Sequence, residues 1–178
     1  MIAGVDEVGR GCIAGPVVGA SVMLKRPIKG LVDSKKLSSK KREDLSQAII
    51  ENSIFAIGAA DNQEIDQINI LQASLLAMQR SLEKLDVKPK KVLVDGAHIF
   101  KTPIEIESIV GGDNLIPSIS AASIVAKVYR DKLMMAYSKE FPNYGFDKHK
   151  GYPTKLHKEM LKRYGLTRIH RRTFKGVN

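Results

Sequence analysis

The 178-residue sequence holds one cysteine, Cys12, so an internal disulfide and a cysteine-based zinc cluster are excluded. Its four histidines, His98, His149, His157 and His170, have no zinc-ligand spacing and are expected to be structural or weakly phosphate-contacting rather than ligands. No apolar run is long enough to span a bilayer, and the N-terminus enters a strand-like stretch without a cleavable leader, so no membrane contact and a cytoplasmic location are expected. Repeats, low-complexity tracts and linkers are lacking too. The expectation is one domain over 1–178, with a basic helical and loop region from about residue 140 onward.

Acidic residues are scarce: 19 Asp and Glu stand against 29 Lys and Arg, a formal net charge of +10. Such a balance suits an anionic partner. The charge is also unevenly spread. From Lys148 to the C-terminus there are ten basic residues and one acid, Glu159, and a second cluster holds Lys35, Lys36, Lys40, Lys41 and Arg42. Each cluster alone reads as a solvated face; beside a carboxylate site they read as tracks for a phosphate backbone.

What is present alternates in period. Ile2 to Val5 and Val17 to Met23 read as strands joined by the Gly-rich turn Gly9 to Pro16. A helix capped by Ser38 or Ser39 runs to about Glu51, and Ile54 to Ala60 is a third strand. The spacing of Ile65, Ile68, Leu71, Leu75, Met78, Leu82 and Leu85 predicts one amphipathic helix from about Gln63. Strands at Lys91 to Val94 and Ile104 to Val110 precede a helix from about Ser118 to Lys139, whose Ser120-Ala121-Ala122-Ser123 start permits close approach to a sheet. After a Gly- and Lys-rich loop around His149 to Pro153, a last helix near Thr154 to Tyr164 leads into a basic tail. This order predicts an α/β fold with a mixed sheet.

Four of the scarce acids sit where these strands and turns end: Asp6 and Glu7 after Ile2 to Val5, Asp95 after Val92 to Val94, and Asp113 after Gly111-Gly112. Any one of them is ordinary loop chemistry. Together they suggest a site that holds hard divalent cations against a phosphate. Strand parity sends Asp6 and Glu7 to opposite faces, so they share a site only if the strand bends or ends there. Gly9-Arg10-Gly11 would let the main chain approach a ligand.

Several blocks resemble the ribonuclease HII family: Val5-Asp6-Glu7-Val8-Gly9-Arg10-Gly11 with Ala14-Gly15-Pro16-Val17, then Asp33-Ser34-Lys35-Lys36-Leu37, Val94-Asp95-Gly96, Gly112-Asp113, Ala121 to Lys127, Arg130-Asp131, His149-Lys150-Gly151-Tyr152 and His170-Arg171. They follow the family's order over nearly the whole chain. The resemblance implies a ribonuclease H-like fold, a five-stranded mixed central sheet flanked by helices with a C-terminal helical region. It implies an endonuclease that cuts the RNA strand of RNA–DNA hybrids and cuts 5′ to ribonucleotides embedded in duplex DNA, leaving 3′-hydroxyl and 5′-phosphate ends. Carried onto this chain, Asp6, Glu7, Asp95 and Asp113 hold two Mg²⁺ or Mn²⁺ ions, with Asp6 bridging, and water is the nucleophile.

The resemblance further implies that Gly9, Arg10 and Gly11 read the 2′-hydroxyl, that Tyr152 stacks on the sugar of the following deoxynucleotide, and that Lys35, Lys36 and Lys127 contact phosphates. The bland readings are a hairpin turn, a half-buried tyrosine and solvated or salt-bridged lysines. The partners implied are an RNA–DNA hybrid or a DNA duplex containing ribonucleotides, bound by a monomer. Asp131 is expected to play a supporting part. Ala97 and Cys12 depart from the Asn and Pro that many members carry, and neither is a ligand position. The rival readings are a non-catalytic nucleic-acid-binding module and a nuclease of another specificity on the same fold, such as a junction resolvase.

Overall fold

The first strand of the chain becomes the middle of the sheet. In the computed structural model, which describes residues 1–31 and 37–177, β1 (Ile2–Val8) lies between β2 (Val17–Leu24) and β4 (Lys91–Asp95) in the order β3-β2-β1-β4-β5. Its pairing with β2, and that of β2 with β3 (Ser53–Ala60), is antiparallel; β1 with β4, and β4 with β5 (Glu105–Ile109), is parallel. The sheet is therefore five-stranded and mixed, as expected.

Period-two alternation divides β1 between two cores. Ala3 and Val5 turn to one face, where they meet Val92, Val94, Met78 and Leu82, the last two from α2 (Asn62–Glu83). Gly4 turns to the other, where α3 (Pro117–Glu140) lies so close that a Cβ on Gly4 would stand 2.1 Å from the carbonyl carbon of Ser118. Only glycine permits that approach. On the same face, Val18, Ala20 and Val22 of β2 pack with Ala121, Ala122 and Val125 of α3 and with Ile49 of α1 (Ser39–Glu51). The small-residue start of α3 therefore acts as the sequence predicts: it brings a helix down onto the strand that carries Asp6.

Two elements differ from expectation. The helix expected without interruption from Gln63 is broken at Asn69 (φ 68°, ψ 165°), where Asn69 Oδ1 accepts the Gln72 N–H at 3.1 Å and starts a second segment. Its apolar spacing continues across the break, so periodicity does not reveal it. The C-terminal region contains an extra short helix, α4 (Phe146–His149), before α5 (Lys155–Tyr164). The final stretch is more than a basic tail. It pairs with the Gly9 to Pro16 turn through Gly15 N–H to Ile169 O and Arg171 N–H to Ile13 O, both 2.9 Å.

Candidate active site

The β1–β4 ladder ends where Val5 meets Val94, so Asp6 and Asp95 are the next residues on two adjacent parallel strands. By alternation both belong to the α3 face. Asp6 is buried; the Glu7 N–H donates to its Oδ1 at 2.7 Å, and Ser123 of α3 lies beside it. Burial, then Glu7, then Asp95 push the Asp6 carboxyl well above its usual range, with the Ser123 hydrogen bond opposing. The Glu7 carboxyl is also raised, by burial and by Asp95, while Arg10 pulls it down through an ion pair at 3.3 Å.

β1 does not end at the acidic pair. Its ladder with β2 continues through Asp6 and Glu7 to Val8, whereas its ladder with β4 stops at Val5. One edge of the strand is therefore open at this point, and across it Glu7 feels Asp95 despite opposite parity. Asp113 enters from a 3₁₀ turn, Gly112–Asn114, that follows β5. Its N–H donates to Asp95 Oδ1 at 3.3 Å, and its own Oδ1 accepts from Asn114 Nδ2 at 2.7 Å. Four carboxylates from three chain segments thus collect at one end of the sheet.

Oxygen donors of this kind are what hard divalent cations take. Among the described residues, no three His, Cys, Asp or Glu side chains are drawn together tightly enough to hold a metal ion. Burial first and mutual repulsion second raise the Asp6 and Glu7 carboxyls, and Arg10 offsets part of this at Glu7.

Beside the carboxylates, the Gly9 to Pro16 turn is held from beneath by two arginines, each wholly buried. Arg171 donates from Nε to Gly15 O (2.9 Å), from Nη1 to Arg10 O (3.0 Å) and from Nη2 to Gly9 O (2.7 Å). Arg130 of α3 donates to Pro16 O (2.9 Å), Ala14 O (2.9 Å) and Lys150 O (2.8 Å). Gly9, at φ +97°, lies on the Arg130 guanidinium, and a Cβ there would stand 2.3 Å from Nε. Arg171 thus belongs to the interior, not to the basic surface track in which the sequence places it.

Lys127 lies one helical turn beyond Ser123 on α3. Its Nζ pairs with Asp131 at 2.7 Å and lies 5.8 Å from the Tyr152 ring centroid. Tyr152 is 38% exposed, and its ring is within ordinary contact of a Cβ placed on Gly11. Tyr152 therefore stands between Lys127 of α3 and Gly11 of the glycine turn. Lys35 and Lys36 lie outside the described residues.

Sequence reasoning missed Ser123, Arg130 and Arg171 as parts of the site. For Arg130 a signal existed: Ala122, Ala126, Arg130 and Met134 recur at i+4, and all four are buried, so the arginine interrupts an inward-facing stripe. Arg171 had no local signal, because its three acceptors lie more than 150 residues away.

The sequence profile named Ribonuclease HII matches residues 3–177. A ribonuclease HII from Coxiella burnetii is 53% identical over 180 residues, covering 99% of this chain and 89% of its own. The crystal structure of ribonuclease H2 from Pyrococcus horikoshii superposes with a TM-score of 0.82 at 29% identity, covering 99% of this chain and 94% of that one. A crystal structure of Bst-RNase HIII in complex with Mn²⁺ has a TM-score of 0.77 at 18% identity, covering 99% of this chain and 67% of that one, and shares the fold. A profile match over nearly every residue, on a sheet with carboxylates gathered at its end, has one reading: the chain belongs to the ribonuclease HII family of endonucleolytic hydrolases.

Proposed function

We propose that this chain, as a single-domain cytoplasmic monomer, hydrolyses the RNA strand of RNA–DNA hybrids. It also cuts duplex DNA 5′ to single embedded ribonucleotides, leaving 3′-hydroxyl and 5′-phosphate ends. The observation that carries this reading is the placement of Asp6 and Asp95 on adjacent strand ends, with Glu7 and Asp113 beside them and a glycine-rich turn alongside.

Asp6, Glu7, Asp95 and Asp113 would hold two Mg²⁺ or Mn²⁺ ions, a choice supported by the all-carboxylate donor set and by the Mn²⁺ complex of the HIII relative. When bound, these ions supply Lewis-acid activation of the attacking water and stabilisation of the leaving 3′-oxygen. The chain's own residues supply the rest. The Glu7 amide holds the Asp6 carboxylate, with Ser123 of α3 beside it, and the Asp113 amide holds that of Asp95. Arg10, within the Gly9 to Gly11 segment, pairs with Glu7 at 3.3 Å and so ties that segment to the carboxylates. Tyr152 offers its exposed ring to the sugar of the deoxynucleotide after the ribonucleotide, with Lys127 beside it for a phosphate. Lys35 and Lys36 extend the phosphate contacts. The Gly9 to Gly11 main chain reads the 2′-hydroxyl.

Product mapping tests the reading. A duplex with one ribonucleotide, an RNA–DNA hybrid, an all-DNA duplex and a four-way junction are offered with Mg²⁺ or Mn²⁺ in turn. Cleavage on the 5′ side of the ribonucleotide and throughout the hybrid's RNA strand is expected, with the DNA substrates intact. Comparable cutting of all-DNA substrates would defeat it.

A further inference from the structure

The two buried arginines under the Gly9 to Pro16 turn do more than pack. A guanidinium carries its N–H donors in a rigid planar fork, so it fixes the direction of every carbonyl it holds. Among the described residues neither Arg130 nor Arg171 has an ion-pair partner; their N–H groups go to main-chain oxygens instead. Burying a cation without a carboxylate is costly, and an apolar side chain would fill the same volume. What the fork adds is orientation.

That orientation has a consequence for the amides. In a planar trans peptide the N–H of one residue points opposite to the C=O of the residue before it. Arg171 pulls the Gly9 and Arg10 carbonyls inward, so the Arg10 and Gly11 N–H groups turn outward. Among the described residues these two amides have no backbone acceptor, whereas Ile13 and Gly15 in the same turn do. The turn therefore shows adjacent donors to whatever lies between it and Tyr152.

We propose that Arg171, supported by Arg130, is a positioning residue that sets discrimination for the 2′-hydroxyl by holding the Arg10 and Gly11 amides outward. The claim rests on the reading of Gly9 to Gly11 as the 2′-hydroxyl contact. Arg130 acts from below: it holds Ala14 and Pro16, and Gly9 lies directly on its guanidinium.

Two measurements test this. First, amide hydrogen exchange on the wild-type protein compares the free state with complexes of a single-ribonucleotide duplex and of an all-DNA duplex. The Arg10 and Gly11 amides should exchange freely in the free protein and be protected by the ribonucleotide duplex alone. Second, on an Asp6→Asn background that prevents cutting, Arg171→Lys keeps the charge and loses the fork. It should reduce the affinity ratio of ribonucleotide over all-DNA duplex about tenfold, the worth of one hydrogen bond, with all-DNA affinity nearly unchanged. Arg130→Lys should reduce the ratio in the same sense.

Amides that gain no ribonucleotide-specific protection would sink the 2′-hydroxyl reading, and the positioning role with it. Specific protection alongside an unchanged ratio in folded Arg171→Lys would leave that reading standing and overturn the positioning role alone. If the lysine variants do not fold, exchange still decides, because slow exchange of both amides in the free protein means they are not presented.

Discussion

Asp6 carries its charge where burial and two neighbouring carboxylates all oppose it. Its folded pKa lies above the unfolded value, so between the two the native state binds more protons and stability falls as pH rises. Above the unfolded value the Asp6 carboxyl is therefore a standing cost, which a bound cation or an amide removes. Asp6→Asn should therefore lower cleavage by on the order of 10³-fold or more while leaving hybrid binding nearly intact. In metal-free buffer at pH 7 the same variant should melt higher than the wild type. Turnover and thermal melts measure both effects, and a lower melting temperature would show that Asp6 stabilises the metal-free fold instead. The identities of the four carboxylates were legible because each follows a strand or a glycine pair. Their relative placement was not: parity sends Asp6 and Glu7 to opposite faces, and only the structure shows that the ladder of β1 with β4 stops before both while that with β2 runs on.

At the scale of elements, α5 and the stretch after it are fixed to the site by a chain of neutral histidines. The Thr167 N–H donates to His170 Nδ1 at 2.9 Å, which leaves the proton of His170 on Nε2. That proton meets His157 Nε2 at 3.0 Å, and His157 Nδ1 donates to Tyr152 O at 2.9 Å. His149 stacks on His157 with ring centroids 4.2 Å apart, its Nδ1 accepting from Gly151 and its Nε2 donating to Tyr144 O. Protonation would set two N–H groups of His157 and His170 against each other. Burial above all lowers both pKa values from 6.5 to about 4. Between those limits the unfolded chain binds more protons than the native one, so this stabilisation is complete above pH 6.5 and lost as pH falls toward 4. The melting temperature should drop across that interval, and a flat profile would contradict neutral buried imidazoles. Of the two sequence readings of these histidines, structural or weakly phosphate-contacting, the network favours the structural one. The Asn69 break in α2 was not legible, since a capped interruption leaves the apolar period intact.

For the molecule as a whole, the excess of cations is the long-range term. Lys155, Lys158 and Lys162 are exposed on α5, opposite its buried His157 and Leu161. Each phosphate neutralised contributes a slope of about −0.9 to log affinity against log salt on B-form duplex, so hybrid binding should weaken steeply with salt. Lys158→Glu together with Lys162→Glu should make that slope shallower without changing the cleavage position. Titrations at several salt concentrations and product mapping check the two halves. Millimolar Mg²⁺ or Mn²⁺ should raise the melting temperature of the wild type, because a ligand that binds only the native state stabilises it. Asp6→Asn should blunt that rise.

The sequence by itself determined the α/β class, the order of strands and helices, the candidate carboxylates and the close seat of α3. These depend on local period, on glycine and on small side chains, which act within a few residues. Only the tertiary structure decided that Arg130 and Arg171 lie beneath the glycine turn, that the last residues of the chain pair with it, and that the Asp113 amide meets Asp95. The physical reason is that hydrogen-bond acceptors and like charges act through space. Residues more than 150 positions apart acquire a shared role only once the sheet has brought them together.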